Sequence, residues 1–519
     1  MKKIFQIVTL VLVIGSMAAC NKSFDSLEAD PNRATSVPAN LILNNVLLNF
    51  TNGGFNTKQR SNQYYLCNYD YYGNNEYNWT GYSFGGYNTL KNIAQMEAEA
   101  TKSVTSPNPY NAIGKFLKAY FLYDLTMNLG DIPVSDALKG LTNVTPKYDT
   151  QKQVFQQILT YLEQANTEMG TLKTTNYVLA SDFYYGNDLS KWQKAVNAFK
   201  LRVLIQLSNK EADADLAIKT KFAETVSNPA KYPVFASDAD NLTFVYNNQF
   251  NKYSTNPDNF GFDATRYNMS STYLGNLASL KDPRTFFVAE PAAFLVASGK
   301  LPNSYDAFAG AGAGEDLATM SKNAGDGKYS FINRKRYYQT YTAESTTQVG
   351  YQELCFNMAE AAHRGWITGQ SAETWYQNGI KASQAFYGVK EGANTVTFQK
   401  PSGTLAESVT YAVDYKYADY YAQATVKYAG SGTTGLNQIL LQKYLSLYQN
   451  SGAEGYYNWR RTGVPTFHTG PGTGNSQRVA LRYQYPSTER AVNKANVEAA
   501  IASQYGGADD INAKMWIIK

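Results

Sequence analysis

Residues 108–227 contain a series of amphipathic helical patterns, and no other part of the sequence narrows the fold as strongly. The first pattern begins at Asn108 and Pro109, a helix-capping residue followed by a proline that suits the first turn, and it ends at Gly130. Its apolar residues recur at helical spacing on one face: Ile113, Phe116, Leu117, Tyr120 and Phe121. Because such a face must be buried against another element, the pattern predicts packed helices.

Three more helices are predicted at short intervals after the first. Thr150 and Gln153 have the spacing of a capping box at the start of the second helix, which ends at Gly170. The third helix begins near Asp188, and the fourth covers about 211–227. Helix pairs joined by short links are typical of tetratricopeptide-like repeats, although the sequence shows no exact period.

The helical pattern is interrupted at about 228–346, where Gly, Asn, Ser, Asp and Tyr are frequent. Within it, residues 309–314 alternate alanine with glycine, which predicts a flexible run. A long segment of this kind inside a helical protein is more often a functional insertion than a linker. We therefore expect loops with a function here.

Helical patterns resume after this insertion, and further helices are predicted at about 348–366, 371–387 and 435–450. The two helical-repeat parts then cover about 88–227 and 348–450, and a loop-rich part covers about 451–519. Since no boundary divides the chain cleanly, residues 41–519 are predicted to form one mostly α-helical domain.

The N-terminus has the pattern of an exported lipoprotein. Two lysines precede a short apolar run at residues 4–14, and small residues lead to Cys20. Residues 1–19 are therefore predicted to be a signal peptide, and Cys20 the residue that carries the lipid anchor. Residues 20–40 are predicted to be a flexible tether. Acyl chains such as palmitate on Cys20 would hold the protein on a membrane.

Composition excludes some functions and leaves others open. A net charge of +5 over 519 residues argues against nucleic acid as a partner. Besides Cys20 only Cys67 and Cys355 are present, so there is no disulfide framework, while a single bridge stays open. The 42 tyrosines favour either a surface for polar, uncharged ligands or a tyrosine-rich core, and composition alone does not separate the two.

Residues 64–87 hold ten aromatic side chains in 24 positions, interleaved with Asp and Asn. Flat rings cover the C–H faces of sugars, and Asn or Asp binds their hydroxyls. We select six candidate ligand-binding residues: Asp70, Tyr71, Tyr72, Asn75, Tyr77 and Trp79. The alternative is that most of these rings belong to the core. A second candidate surface within 228–346 contains Tyr246, Tyr253, Tyr267 and Tyr305.

The sequence carries few signs of catalysis. Its two histidines, His363 and His468, stand outside any HExxH pattern, and no GxSxG or CxxC pair occurs. Calcium could bind an Asp/Asn loop, but nothing has EF-hand spacing, so no cofactor is predicted. Arg460 and Arg461 invite a binding role, although structural ion pairing is the favoured interpretation. A surface hydrolase or an adhesion scaffold remains the alternative to a binding protein.

Several segments, in this order along the chain, resemble the SusD/RagB family of outer-membrane lipoproteins of Bacteroidota. They are ADPN (29–32), LGDIPVSDAL (129–138), PKYD (146–149), YGND (185–188), AEAA (359–362) and WRRTGVP (459–465). Each match is weak alone, but together they cover nearly the whole mature chain. Asn187 and the Met515-Trp516 pair depart from the family pattern, where glycine and a tryptophan pair are common.

The resemblance implies a SusD-like fold, in which tetratricopeptide-like helix pairs form a scaffold and long irregular segments form the ligand side. It also implies a nutrient-binding protein anchored by lipid to the outer membrane and facing the cell exterior. Such proteins capture an oligosaccharide or a peptide and act as the lid of a SusC-like TonB-dependent β-barrel transporter. In the family, a loop near residues 64–87 commonly contributes to the ligand surface.

Overall fold

The computed structural model describes residues 36–400 and 403–519. Cys20, the predicted signal peptide and most of the predicted tether lie outside the described residues. The predicted mostly α-helical fold is confirmed. The longer helices are α1 (Ala39–Phe50), α2 (Gly85–Ser103), α3 (Pro109–Leu129), α4 (Gln151–Leu172), α5 (Leu189–Gln206), α6 (Ile218–Ser227), α7 (Leu317–Gly325), α8 (Tyr351–His363), α9 (Ala372–Phe386), α10 (Thr433–Ser446), α11 (Glu454–Thr462) and α12 (Lys494–Tyr505).

Local signals start several of these helices where the sequence predicts them. The Asn108 side chain accepts a hydrogen bond from the backbone N–H of Asn111, and Thr150 with Gln153 forms the predicted capping box. Consecutive helices from α2 to α5 pack in sequence order, and α8 packs against both α9 and α10. These caps satisfy N–H groups that a helix start would otherwise leave unpaired, so they position the helices of the scaffold.

The fourth predicted helix begins later than expected, at Ile218 instead of about residue 211. The Asp213 side chain accepts hydrogen bonds from the backbone N–H groups of Asp215 and Leu216, which forms a turn. Ala217 follows with a left-handed φ of 47°. A turn closed by a side chain competes with helix formation, so the helix starts only after it.

Three small antiparallel sheets accompany the helices. The strands are β1 (Tyr65–Cys67), β2 (Leu242–Phe244), β3 (Tyr267–Met269), β4 (Thr346–Val349), β5 (Gly392–Gln399) and β6 (Ser408–Tyr415). β1 pairs with β3, β2 with β4, and β5 with β6. The β5–β6 hairpin lies inside the part where helical repeats were predicted, so that prediction missed it. Its alternating β-branched and aromatic residues are typical of strands.

The short helices complete the loop-rich parts of the chain. They lie at Thr57–Ser61, Phe260–Asp263, Asn276–Ser279, Arg284–Val288, Ala293–Ala297, Arg334–Tyr338, Tyr417–Ala422 and Ser487–Val492. The predicted insertion at 228–346 therefore contains many short elements, and its strands β2 and β3 pair with strands far away in the sequence.

The alternating run at 309–314 is packed, so the prediction of a flexible run was wrong. Ala311 and Ala313 are buried with Leu66 and Met320 in a small apolar cluster beside the main core. A Cβ on Gly310 would lie 2.4 Å from backbone atoms of Ser270 and Ser271. The small residues are there because two backbones approach closely, which leaves no room for side chains.

Buried ion pairs join helices that are far apart in the sequence. Arg202 on α5 pairs with Glu353 on α8, and both side chains are buried. Arg461 on α11 donates to Glu360 on α8 over 2.8 Å, which confirms the predicted structural role of Arg461. Burial alone would raise the pKa of Glu360, but the adjacent Arg461 guanidinium lowers it to about 2. Glu360 therefore remains charged inside the protein at neutral pH.

Candidate functional site

The aromatic loop, residues 69–79, leaves the end of β1 and is held in place by Asn75. The Asn75 amide oxygen accepts from the backbone N–H of Cys67 over 2.9 Å, and its nitrogen donates to the Cys67 carbonyl over 2.8 Å. An amide side chain here makes the two hydrogen bonds that a neighbouring strand would make. The loop is therefore anchored at its base, and the residues around Asn75 have a defined position.

Gly73 lets the loop turn tightly over Arg60. Its φ of 141° lies outside the conformations that other residues adopt readily, and a Cβ there would lie 2.7 Å from the Arg60 guanidinium. The turn follows a short 3₁₀ helix at Asp70–Tyr72. This geometry directs the side chains before and after the turn to different surroundings.

Three tyrosines before the turn form the tyrosine cluster, Tyr69, Tyr71 and Tyr72. Tyr71 is 82% exposed and meets the ring of Tyr72 edge-on at 5.1 Å. The guanidinium of Arg266 lies 4.9 Å from the centre of the Tyr69 ring. Exposed rings with hydroxyl tips, next to the Asp70 carboxylate, present a surface that can cover a sugar ring and bind its hydroxyls.

A small cavity lies on the other side of the turn, with a volume of about 210 Å³. Trp79 forms one wall, and its indole stacks on Tyr483 with ring centroids 4.2 Å apart. Arg60, Asn74 and Asn78 supply polar groups around it. A cavity of this size accommodates a single sugar unit or a side chain rather than a longer ligand.

A larger cavity, of about 660 Å³, lies beside the tyrosine cluster, and Asn68 and Arg266 are in its wall. Its other walls come from the segment around residues 290–302, from α7 and from the β5–β6 hairpin. Its apolar lining includes Pro291, Val296, Ala324, Phe331, Phe398 and Val409. Both its volume and its mainly apolar lining are usual for a small-molecule site.

The six predicted ligand-binding residues divide into two groups. Asp70 and Tyr71 are exposed and Tyr72 is half-buried, so this group lies on the outer surface of the loop. Asn75, Tyr77 and Trp79 line the small cavity. Tyr77 is nevertheless only 2% exposed, and its hydroxyl donates to the Ser61 carbonyl over 2.9 Å, which gives it a structural role in this structure.

The residues that sequence reasoning missed lie outside the aromatic loop, and two of the three come from distant parts of the chain. Arg60 and Arg266 flank the aromatic loop from below and from the side, and Tyr483 stacks on Trp79. Of the tyrosines in the second candidate surface, Tyr253 is buried, while Tyr246, Tyr267 and Tyr305 are half-buried. The strand-like alternation of β5 and β6 was the one sequence signal for the wall of the larger cavity.

The cysteine thiols and histidine rings in the part of the chain that the structure describes are either buried or hydrogen-bonded within the protein. Cys67 and Cys355 are free buried thiols, and burial raises the pKa of Cys67 to about 11. The His363 and His468 rings hydrogen-bond to the hydroxyls of Tyr428 and Ser271, respectively. Across residues 36–400 and 403–519, no three His, Cys, Asp or Glu residues come close enough to hold a metal ion.

Among residues 36–400 and 403–519, none of the helices combines the length and the apolar character that crossing a bilayer needs.

The helical scaffold, the exposed aromatic loop and the adjoining cavity together define a ligand-binding protein of the helical-repeat class. The chain belongs to the SusD-like family, described as starch-binding and associating with the outer membrane, whose model matches residues 31–486. Members of this family are nutrient-binding proteins of the outer membrane, and they are generally not enzymes. No curated protein matches the chain at a significant level.

Solved structures agree with this assignment. A SusD homologue from Bacteroides fragilis NCTC 9343 shares 29% identity at a TM-score of 0.80, over 93% of this chain and 100% of that one. An outer-membrane protein from Bacteroides vulgatus ATCC 8482, with nutrient binding as its inferred role, shares 29% identity at a TM-score of 0.78, over 93% of this chain and 100% of that one. A chitin-binding SusD homologue from Flavobacterium johnsoniae shares the fold, with 19% identity and a TM-score of 0.66 over 93% of this chain and 98% of that one.

Proposed function

We propose that this protein is a cell-surface lipoprotein that captures a nutrient, an oligosaccharide or a peptide, for a SusC-like TonB-dependent transporter. It would act as the capture subunit and the lid of that β-barrel. In this proposal Cys20 carries the lipid, the body faces the cell exterior, and the protein binds its ligand without a cofactor and without converting it.

The observation that carries the proposal is the tyrosine cluster on an anchored, exposed loop. The cluster brings three partly exposed rings together at one place, and the most exposed of them, Tyr71, contributes nothing to the core. The cluster adjoins a cavity of about 660 Å³, so a ligand could cover the rings and extend into the cavity. Asp70 and Tyr72 supply hydrogen-bonding and stacking groups within the aromatic loop, and Trp79 supplies a stacking surface in the small cavity.

An array of glycans and peptides, probed with the mature protein, tests ligand capture. We expect binding to a narrow set of structurally related glycans or peptides, and recovery of the ligand unchanged after incubation. Product formed from a bound glycan or peptide by the pure protein would contradict the proposal and favour the alternative of a surface hydrolase. Binding to no member of either class would also contradict it.

The anchor and the partner need their own experiment. Metabolic labelling with a palmitate analogue should label the wild-type chain and leave Cys20→Ser unlabelled. After mild detergent extraction, the wild type should co-purify with a large β-barrel protein of the outer membrane. Attachment of cells to a surface without any barrel partner would instead favour an adhesion scaffold.

A further inference from the structure

An arginine in the wall of the larger cavity has no side-chain partner among the described residues. Arg266 lines the cavity, and its guanidinium makes no hydrogen bond or ion pair with any residue in the described ranges 36–400 and 403–519. Its Nε is buried and unpartnered, while the ring of Tyr69 holds the guanidinium from one side. A buried donor on a charged group is costly to leave unpaired, so Arg266 favours a partner that accepts a hydrogen bond.

The other charges in this cavity are already paired or more solvated. Arg334 and Glu290 are both buried and form an ion pair over 2.7 Å, so they neutralise each other. Lys400 is exposed at the rim. Two more carboxylates lie nearby but outside the lining: Glu315 accepts from the hydroxyl of Tyr329, and Glu407 accepts from the backbone N–H of Thr404.

The chemistry of the walls limits what would pair with Arg266. Apolar atoms form most of the lining surface, and several polar side chains in the wall already form hydrogen bonds within the protein, among them Asn68, Gln399 and Tyr329. An excess of positive charge over an apolar surface instead fits a ligand that carries an anionic group on an apolar body. A guanidinium binds a carboxylate through two parallel hydrogen bonds, which makes that pairing strong and directional.

We propose that this cavity binds the C-terminal residue of a short peptide, with an apolar side chain in the cavity and the free carboxylate on Arg266. This inference rests on the proposed function and assigns part of the ligand surface to a peptide end. The tyrosine cluster would then cover the residues that precede the C-terminus, since Tyr69 lies directly against Arg266.

The test compares two soluble probes on the mature lipoprotein in detergent: acetyl-Gly-Gly-Phe as the free acid and as the C-terminal amide. We expect the acid to bind at least about tenfold more tightly than the amide. Arg266→Gln should remove this preference, and Arg266→Lys should keep part of it. Arg478→Gln, which changes an exposed arginine outside the cavity, is the matched control and should bind like the wild type.

A second variant tests the cavity itself without touching the charge. Ala297 is exposed and lines the cavity, so Ala297→Trp should fill the space without disturbing the core and weaken both probes. Thermal unfolding should match the wild type for every variant. Equal affinity for acid and amide, or an unchanged preference in Arg266→Gln, would overturn the inference.

The remaining outcomes separate this inference from the proposed function. If binding of a xylo-oligosaccharide bearing 4-O-methylglucuronic acid requires Arg266 while binding of the peptide acid does not, the peptide assignment is wrong. If neutral glycans bind through Tyr71 while neither acid binds, the inference fails and ligand capture stands. If no probe and no array ligand binds, both fail.

Discussion

The indole of Trp79 lies flat on the ring of Tyr483, with centroids 4.2 Å apart and planes 6° from parallel. Tyr456 meets the same indole edge-on at 5.1 Å. The contact ties the aromatic loop to residues about 400 positions later in the chain. One face of Trp79 is therefore already used in packing, and only the remainder of the indole is available to a ligand.

Replacing Trp79 with Ala should affect both stability and binding. Loss of the stacked indole should lower the free energy of unfolding by about 2 kcal/mol, less than for a fully buried tryptophan because Trp79 is half-buried. Chemical denaturation and ligand titration measure the two effects. Trp79→Phe keeps a stacked ring and should recover most of the stability; no loss of stability in Trp79→Ala would contradict the anchoring role.

Replacing Tyr71 with Ala should affect binding alone. Because this ring is 82% exposed, the free energy of unfolding should change by less than about 0.5 kcal/mol. Ligand affinity should fall by about fivefold to tenfold, the contribution of one stacking ring. Phe250, which is 86% exposed in a different loop, provides the control Phe250→Ala. If that control weakens binding and Tyr71→Ala does not, the ligand binds elsewhere.

Asn75→Ala should loosen the aromatic loop. The substitution leaves the buried backbone N–H and carbonyl of Cys67 without the two hydrogen bonds from Asn75, at a cost of about 2 kcal/mol. Faster amide exchange in the loop and weaker ligand binding should accompany the loss. Asn176→Ala changes an exposed asparagine in a distant loop and should leave stability, exchange and binding as in the wild type.

The packed run at 309–314 offers a comparison within one short segment. A Cβ on Gly310 would meet the backbone of Ser270 and Ser271 at 2.4 Å, whereas a Cβ on Gly312 meets nothing within 4 Å. We expect Gly310→Ala to lower the thermal midpoint and to reduce the free energy of unfolding by about 2 kcal/mol or more. Gly312→Ala should be neutral or slightly stabilising. Equal effects of the two substitutions would mean that the run is flexible after all.

Acid should lower the free energy of unfolding, because it protonates Glu360. Its folded pKa of about 2 lies below its ordinary value of 4.5. The ion pair with Arg461 therefore stabilises the fold fully above pH 4.5 and loses its contribution as the pH falls from 4.5 toward 2. Glu360→Gln should cost about 3 kcal/mol in denaturation at pH 7, and the difference from the wild type should shrink at pH 3. Glu498→Gln, at an exposed position, should show no such pH dependence.

Helix positions could be predicted from the sequence where the determining contacts are local. Asn108, Thr150 and Asp188 each cap a helix through backbone N–H groups two or three residues away, so their effect is visible in the sequence. The late start at Ile218 was missed because a turn at Asp213 competes with the helix, and the apolar pattern does not report that competition.

The site was predicted only as a region. The density of aromatic residues located the loop, but Tyr71 and Tyr77 are the same residue type six positions apart. Their opposite exposure depends on Ser61 and Thr473, which bind Tyr77 through its hydroxyl and its backbone N–H. The order of the motifs determined the family, and with it the mostly helical fold.

The sequence by itself therefore determined the helices, the family and the part of the chain that holds the aromatic loop. The tertiary structure alone decided which rings are exposed, that Trp79 stacks on Tyr483, and that Arg266 at the larger cavity has no side-chain partner among the described residues. The physical reason is the distance along the chain over which each interaction acts. Caps and apolar periodicity act within a few turns of chain, whereas burial and charge pairing depend on neighbours that folding brings from hundreds of residues away.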